Sequence, residues 1–239
     1  MMPRSLKAVL FDLDDTLHDD TLAYESAAEE VARQVEAEHG IDAMALKRAY
    51  ISQAQGFWKQ LSAATLSQKL EHIRARLWQS ALEEVGLTDG DLATRSATDY
   101  VRFRSRYFTP FPGVVELLKA LREGGLKLGI VTNGFSETHR EKIAILQIGD
   151  YFDAIFIADE VGMVKPDPLL FAHACTRLDS APAASAMVGD RYDRDIRGAL
   201  EAGLFTVWIN RDDMPLPTGA RPPHRTVASI SEVQDALGL

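Results

Sequence analysis

From residue 110 to the end of the chain, short β-rich runs alternate with helical stretches, and this alternation limits the possible folds more than any other feature. Lys127–Val131, Ala154–Ala158, Ala186–Val188 and Thr206–Ile209 have the length and apolar character of buried strands. Helical patterns lie between and around them, near Val114–Glu123, Ser136–Gln147, Pro168–Leu178 and Asp193–Ala202. Strand and helix in alternation predict βαβ units, right-handed crossovers and a parallel sheet covered on both faces. The apolar run Lys7–Phe11 needs a sheet to join, and this is the one available. Pro215, Pro217, Pro222 and Pro223 mark an irregular loop. A short strand near Thr226–Val227 and a helix at Ser231–Leu237 then close the fold.

The stretch from about Asp20 to Tyr107 contains no proline and reads as helical throughout. Ala27, Val31 and Val35 repeat at helical spacing, as do Leu66, Leu70, Ile73, Leu77, Ala81 and Val85. Thr65 with Gln68 three residues later predicts a capping box, and Gly86 a C-terminal cap. A further helix is expected over Asp89–Tyr107. The whole resembles a small antiparallel bundle inserted after the first strand. The expected division is an α/β core of residues 1–18 and 108–239, with a helical domain of residues 19–107. Phe57, Trp58 and Trp78 read first as bundle core and second as substrate contacts. Arg102, Arg104 and Arg106 read as a solvated helix face.

Composition narrows the function. Of the 239 residues, 46% are hydrophobic and 26% charged, enough to build a sizeable core. The net charge of -9 argues against a nucleic-acid polymer as partner. A phosphorylated small molecule remains compatible, because a bound divalent metal reverses the local field. The single cysteine, Cys175, falls within a helical pattern and reads as a small core residue in a reducing compartment. The start, Met1-Met2-Pro3-Arg4-Ser5, leads into an apolar run too short for a signal peptide, and no stretch approaches a membrane span. A cytoplasmic protein, monomeric or homodimeric, is expected.

In parallel α/β sheets, ligands bind outside the carboxyl ends of the strands. The first strand is followed by Asp12, Asp14 and Thr16; the second by Thr132, Asn133 and Gly134. Lys165 follows the third, and Gly189, Asp190, Asp193 and Asp195 follow the fourth. A parallel sheet brings these groups to one rim. Each has a plainer reading: an acidic turn at Asp12 and Asp14, a strand-to-helix turn at Thr132–Gly134, a surface lysine, helix-start acids at Asp193 and Asp195. Together, carboxylates, a hydroxyl and an ammonium suit phosphoryl transfer with a magnesium ion. Lys165 precedes Pro166, and Asp167 then Pro168 read as an N-cap with an N1 proline.

Asp12-Leu13-Asp14-Asp15-Thr16-Leu17, Thr132-Asn133-Gly134, Lys165-Pro166 and Gly189-Asp190 with Asp195 resemble the four motifs of the haloacid dehalogenase superfamily. The likeness is to its phosphatase members with a helical cap, over nearly the whole chain. Thr132–Phe135, Tyr151–Asp153, Val161–Pro166 and Val207–Asn210 further resemble the branch holding N-acylneuraminate-9-phosphatase and the pyrimidine 5′-nucleotidases. Asp15 departs from the pattern, which more often has Gly or Asn there. The resemblance implies an α/β fold, a Rossmann-like parallel sheet core with an inserted α-helical bundle cap. It also implies Mg2+-dependent hydrolysis of a small phosphorylated metabolite, a sugar phosphate or nucleoside monophosphate, through an aspartyl-phosphate. Asp12 is then the nucleophile. Asp14 is the acid and base, and its acid role needs a raised pKa. Asp12, the backbone carbonyl of Asp14 and Asp190 hold the metal. Thr132, Asn133 and Gly134 hold phosphoryl oxygens, Lys165 neutralises charge, Thr16 orders the Asp12 loop and Asp195 supports the site. A dehalogenase, a phosphomutase and a phospho-aspartate switch are the competing readings. The first lacks a leaving alkoxide for Asp14 to protonate.

Overall fold

The computed structural model describes residues 6–239, so Met1–Ser5 lie outside the described residues. The chain separates into two compact units, Met1–Asp19 with Thr109–Leu239, and Asp20–Phe108.

The first unit is built on a six-stranded, all-parallel sheet in the order β3-β2-β1-β4-β5-β6. The strands are β1 (Ala8–Phe11), β2 (Lys127–Thr132), β3 (Ala154–Ile157), β4 (Ser185–Gly189), β5 (Phe205–Ile209) and β6 (Arg225–Val227). Each predicted strand is present, with no end shifted by more than one residue. β1 lies between β2 and β4, where Phe11 faces Ile130 on one side and Val188 on the other. The chain builds β2 and β3 on one side of β1 and then crosses to build β4, β5 and β6 on the other. The switch in direction falls at β1, the place where open parallel sheets bind their ligands beyond the strand ends. All four β1 residues are buried, because helices cover both faces.

The helices fixed by sequence chemistry appear where expected. Asp167 caps the helix Pro168–Arg177, its side chain accepting from the Leu169 amide at 2.9 Å, and Pro168 opens it. Cys175 is buried in the core on that face, beside Leu170, Phe171 and Met187. One predicted helix starts differently. Asp193–Ala202 begins with a π-helical turn at Tyr192–Ile196 and becomes α-helical only at Arg197. The Asp195 and Ile196 amides both donate to the Arg191 carbonyl, which widens the turn. Asp195 is thereby carried under the end of β4 instead of lying on an ordinary first helical turn.

The second unit is helical: α1 (Asp20–His39), α2 (Ala43–Lys59), α3 (Ala63–Leu66), α4 (Leu70–Glu84) and α5 (Gly90–Arg104). α1 packs on α2 and α5, and α4 on the same two. Their common core contains Val31, Leu46, Tyr50, Trp78, Leu82 and Tyr100. Trp78 is fully buried and stacks on Tyr50 at 4.0 Å, in keeping with a core role. Phe57 and Trp58 are half-buried.

Two expectations about this unit fail. The pattern from Leu66 to Val85 is not one helix, and the capping box belongs to Ser62 and Thr65 rather than Thr65 and Gln68. The Ser62 backbone amide donates to the Thr65 hydroxyl at 2.7 Å, and the Thr65 amide donates back to the Ser62 hydroxyl at 3.4 Å. Thr65 is thus inside a short helix and cannot start the next. Gly86 does end α4, with the Leu87 amide donating to the Leu82 carbonyl. Arg104 is not on a solvated face: it is largely buried and makes a two-pronged ion pair with Asp20, 2.7 Å to each oxygen. Arg102 and Arg106 are exposed as expected.

The remaining helices of the first unit are α6 (Val114–Glu123), α7 (Ser136–Leu146), α8 (Ala158–Val161), α9 (Pro168–Arg177), α10 (Arg197–Ala202) and α11 (Val233–Ala236). Among the described residues, no helix is long and apolar enough to cross a membrane.

Candidate active site

The carboxyl end of β1 delivers Asp12, whose amide continues the ladder by donating to the Val188 carbonyl at 2.9 Å. Its side chain is buried, and its Oδ1 accepts from the Leu13 amide at 2.7 Å. Lys165 Nζ lies 2.7 Å from Asp12 Oδ1 and 2.7 Å from Asp195 Oδ1, bridging β1 to the π turn after β4. Lys165 is itself buried. Burial pushes its pKa down, but Asp12 and Asp195 outweigh that and hold the ammonium charged.

Asn133 fixes the lysine's backbone. Its side-chain oxygen accepts from the Lys165 amide at 2.7 Å, and its side-chain nitrogen donates to the Lys165 carbonyl at 2.9 Å. The Asn133 amide is therefore engaged in holding Lys165, which was not foreseen. Thr132 ends β2 and is buried beside it. Gly134 follows at φ 151°, where a Cβ would stand 2.2 Å from His139 Cε1. That contact makes glycine necessary there.

Thr16 links the first loop to the loop after β4. Its hydroxyl donates to Asp190 Oδ1 at 3.2 Å and accepts from the Asp190 amide at 3.1 Å. Trp208 on β5 donates its indole N–H to the Asp190 carbonyl at 2.8 Å. Gly189 is required for a second steric reason, since a Cβ would lie 2.4 Å from Asp195 Oδ2. Asp195 receives the Arg191 amide at 2.9 Å, whereas Asp193 is exposed and pairs with the Arg191 side chain.

Asp12, Asp190 and Asp195 each offer an oxygen, and these atoms lie within 4.8 Å of one another. Three carboxylates face one ammonium, so the cluster carries an excess of negative charge. Burial pushes the Asp12 pKa up to about 6, with Asp195 adding to the rise and Lys165 opposing it. Burial, then Asp195 and Asp12, push Asp190 well above the usual carboxylate range. Buried carboxylates held this close are the donor set of a hard divalent cation, which relieves their repulsion.

Asp14 points its side chain to a different set of groups. Lys142 Nζ lies 2.7 Å from Asp14 Oδ1, His18 Nε2 lies 3.0 Å from the same oxygen, and His139 Nε2 lies 3.4 Å from Oδ2. The raised pKa expected for an acid is not found here. Burial raises it, but Lys142 and His139 outweigh burial and hold Asp14 well below the usual range. Sequence reasoning missed all three partners. His139 and Lys142 stand three apart on α7 and so share a face, and the signal was there in a lysine within a helix buried against a sheet. His18 lies four residues after Asp14, but its contact depends on the loop's path, which spacing does not give.

Asp15 adopts φ 54°, the left-handed region, and its carbonyl accepts from the Arg211 guanidinium. That region favours Gly and Asn, which accounts for their usual presence in this motif.

Comparison with known proteins places the chain. A family model described as haloacid dehalogenase-like hydrolase matches residues 6–203. Glyceraldehyde 3-phosphate phosphatase of Methanopyrus kandleri is 34% identical, over 86% of this chain and 84% of its own. Pyrimidine 5'-nucleotidase YjjG of Escherichia coli is also 34% identical, over 74% of this chain and 75% of its own. N-acylneuraminate-9-phosphatase of Rattus norvegicus is 32% identical, over 97% and 94% respectively. The solved structure of the HAD-hydrolase YfnB of Bacillus subtilis shares the fold, with a TM-score of 0.77 at 24% identity over 99% of this chain and 100% of that one. With the four motifs converging on one sheet edge and the family model spanning most of the sequence, the chain belongs to the haloacid dehalogenase-like hydrolases.

Proposed function

We propose that this hydrolase is a magnesium-dependent phosphatase for a small phosphomonoester, a sugar phosphate or nucleoside monophosphate. One observation carries the reading: a buried Asp12 held by Lys165 beside Asp190 and Asp195 at the carboxyl edge of a parallel sheet. Phosphatases acting on quite different phosphorylated molecules are among its relatives, which supports the reaction and leaves the substrate to be identified. In this reading the helical unit is the cap that sets specificity.

Asp12 attacks phosphorus in line. An Asp12 oxygen–phosphorus bond forms, the bond to the leaving oxygen breaks, and that oxygen takes a proton from Asp14, which has first to pick one up against the pull of Lys142 and His139. Water then attacks the aspartyl-phosphate, Asp14 takes its proton back from the water, and inorganic phosphate leaves. Thr132 and the backbone beyond it bind phosphoryl oxygens, and Lys165 offsets their charge. Asp12, Asp190 and the Asp14 carbonyl would hold Mg2+, with Asp195 supporting. The ion supplies charge neutralisation for the phosphoryl group when bound. Asp14, held as a carboxylate by Lys142 and His139, is found in the form that the second half-reaction uses.

The test is a phosphate-release screen with and without Mg2+ over sugar phosphates, nucleoside monophosphates and acylneuraminate phosphates. Release from at least one class, abolished by chelation, is expected. No release from any phosphomonoester would overturn the reading.

A further inference from the structure

Asp14, His18, His139 and Lys142 form a close polar group beside Asp12, and three of the four perform no step of the mechanism above. Lys142 is fully buried, an uncommon place for a lysine without an acidic partner. It reaches Asp14 from α7, a helix that starts just after Thr132–Gly134, so the phosphate-binding turn and this lysine share one rigid support. The two carboxylate oxygens are treated unequally. Oδ1 takes the ammonium at 2.7 Å and His18 Nε2 at 3.0 Å, whereas His139 Nε2 stands 3.4 Å from Oδ2. His139 is fixed too, its Nδ1 donating to the Phe135 carbonyl at 3.0 Å. The Asp14 side chain retains 28% exposure, so one side remains open to an incoming molecule.

We propose that Lys142 is a positioning residue for Asp14: it clamps Oδ1 and so leaves Oδ2 as the atom that takes the proton from the hydrolytic water. This rests on the phosphatase reading above and deepens it. In that step a water O–H bond breaks and its proton goes to Oδ2, while the water oxygen bonds phosphorus. The phosphorus–oxygen bond to Asp12 breaks, restoring the Asp12 carboxylate. A carboxylate swinging freely about its side-chain torsions would reach the water only part of the time, which slows this step more than the first. The first step with an aryl ester does not need Asp14 at all, because a phenolate leaves unprotonated.

The experiment follows p-nitrophenyl phosphate in rapid mixing with Mg2+ for the wild type, Lys142→Met, Lys142→Arg and His139→Gln. Lys142→Met should show a burst of p-nitrophenolate followed by a steady rate lowered about tenfold or more, part of the roughly 10²–10⁴-fold that a positioned base contributes. Acid-quenched Lys142→Met should carry phosphate on Asp12 during turnover. Lys142→Arg, which keeps a cation at the clamp, should recover part of the steady rate and shrink the burst. The ratio of steady rate to burst does not depend on the fraction of folded enzyme. If Lys142→Met yields no folded protein, Lys142→Gln, which keeps a polar side chain there without the charge, carries the same test with the same burst expected, whereas His139→Gln leaves the Oδ1 clamp intact and should show no burst. A lowered rate without burst or trapped phosphoenzyme, or an unchanged rate, would overturn the positioning role. A wild type inactive on every phosphomonoester would instead overturn the phosphatase reading.

Discussion

Replacing Asp12 by Asn removes the carboxylate that the proposed mechanism uses to attack phosphorus, while keeping its shape and its bond from Leu13. Turnover should fall by about 10³-fold or more, as when other covalent nucleophiles are removed. Circular dichroism should be unchanged, since Lys165 retains Asp195 at 2.7 Å. Normal phosphate release from Asp12→Asn would sink the mechanism. Gly134 makes a steric argument at the same scale. At φ 151°, with a Cβ 2.2 Å from the His139 ring, Gly134→Ala should destabilise the first unit by about 1–3 kcal/mol, read from urea unfolding. An unchanged midpoint would mean that the loop relaxes freely. Asp12, Asp14, Thr132, Lys165 and Asp190 stood out in the sequence because each ends or follows a β-rich run. The partners of Asp14 did not, because Lys142 lies 128 residues away and only the folded sheet brings α7 beside the first loop.

Single elements show where periodicity is a good guide and where it misleads. Five of the six strands are legible as apolar runs bounded by turn residues, as expected of strands covered on both faces, whereas the edge strand β6 is short and exposed at Arg225 and Thr226. The break between α3 and α4 is not legible, because Leu66 and Leu70 keep helical spacing straight across it. The chain leaves α3 at Ser67, whose hydroxyl donates to the Ala64 carbonyl at 2.8 Å, and α4 begins only at Leu70. Arg104 was misread for a related reason. An alternating Arg pattern on a helix looks solvated, and its partner Asp20 is 84 residues earlier. Trp78 gives this unit its test. It is fully buried, stacked on Tyr50 and edge-on to Tyr100 at 6.1 Å. Trp78→Ala should cost about 3–5 kcal/mol in denaturant unfolding. A cost below about 1 kcal/mol would mean that the helices close over the gap.

For the molecule as a whole, the acidic cluster makes stability depend on pH and cation together. Asp12 has a pKa of about 6 when folded, against 3.8 for the free group, so the native state holds this proton more tightly than the unfolded one. Its contribution is fully present below pH 3.8 and is lost as pH rises through 6. Asp190 shifts in the same direction. In the proposed function a divalent cation would take the place of the missing proton. Mg2+ should therefore raise the melting temperature at pH 7.5, and the gain should vanish towards pH 4. In a chain of this size, about 1 kcal/mol of binding corresponds to roughly 2–4 °C. An equal shift at both pH values would show that the ion binds elsewhere. The place of β1 in the sheet also bears on biosynthesis. β1 is made before both of its neighbours, which begin at Lys127 and Ser185. The helices of Asp20–Phe108, which have their own core, are complete long before either arrives. Leu10 and Phe11 thus wait unpaired until β2 is made, a span in which an apolar segment is open to aggregation. The strand that leads to Asp12 is made before its neighbours and enclosed late, so a nascent chain stopped before Gly189 contains every helix of the second unit and lacks Asp190 and Asp195.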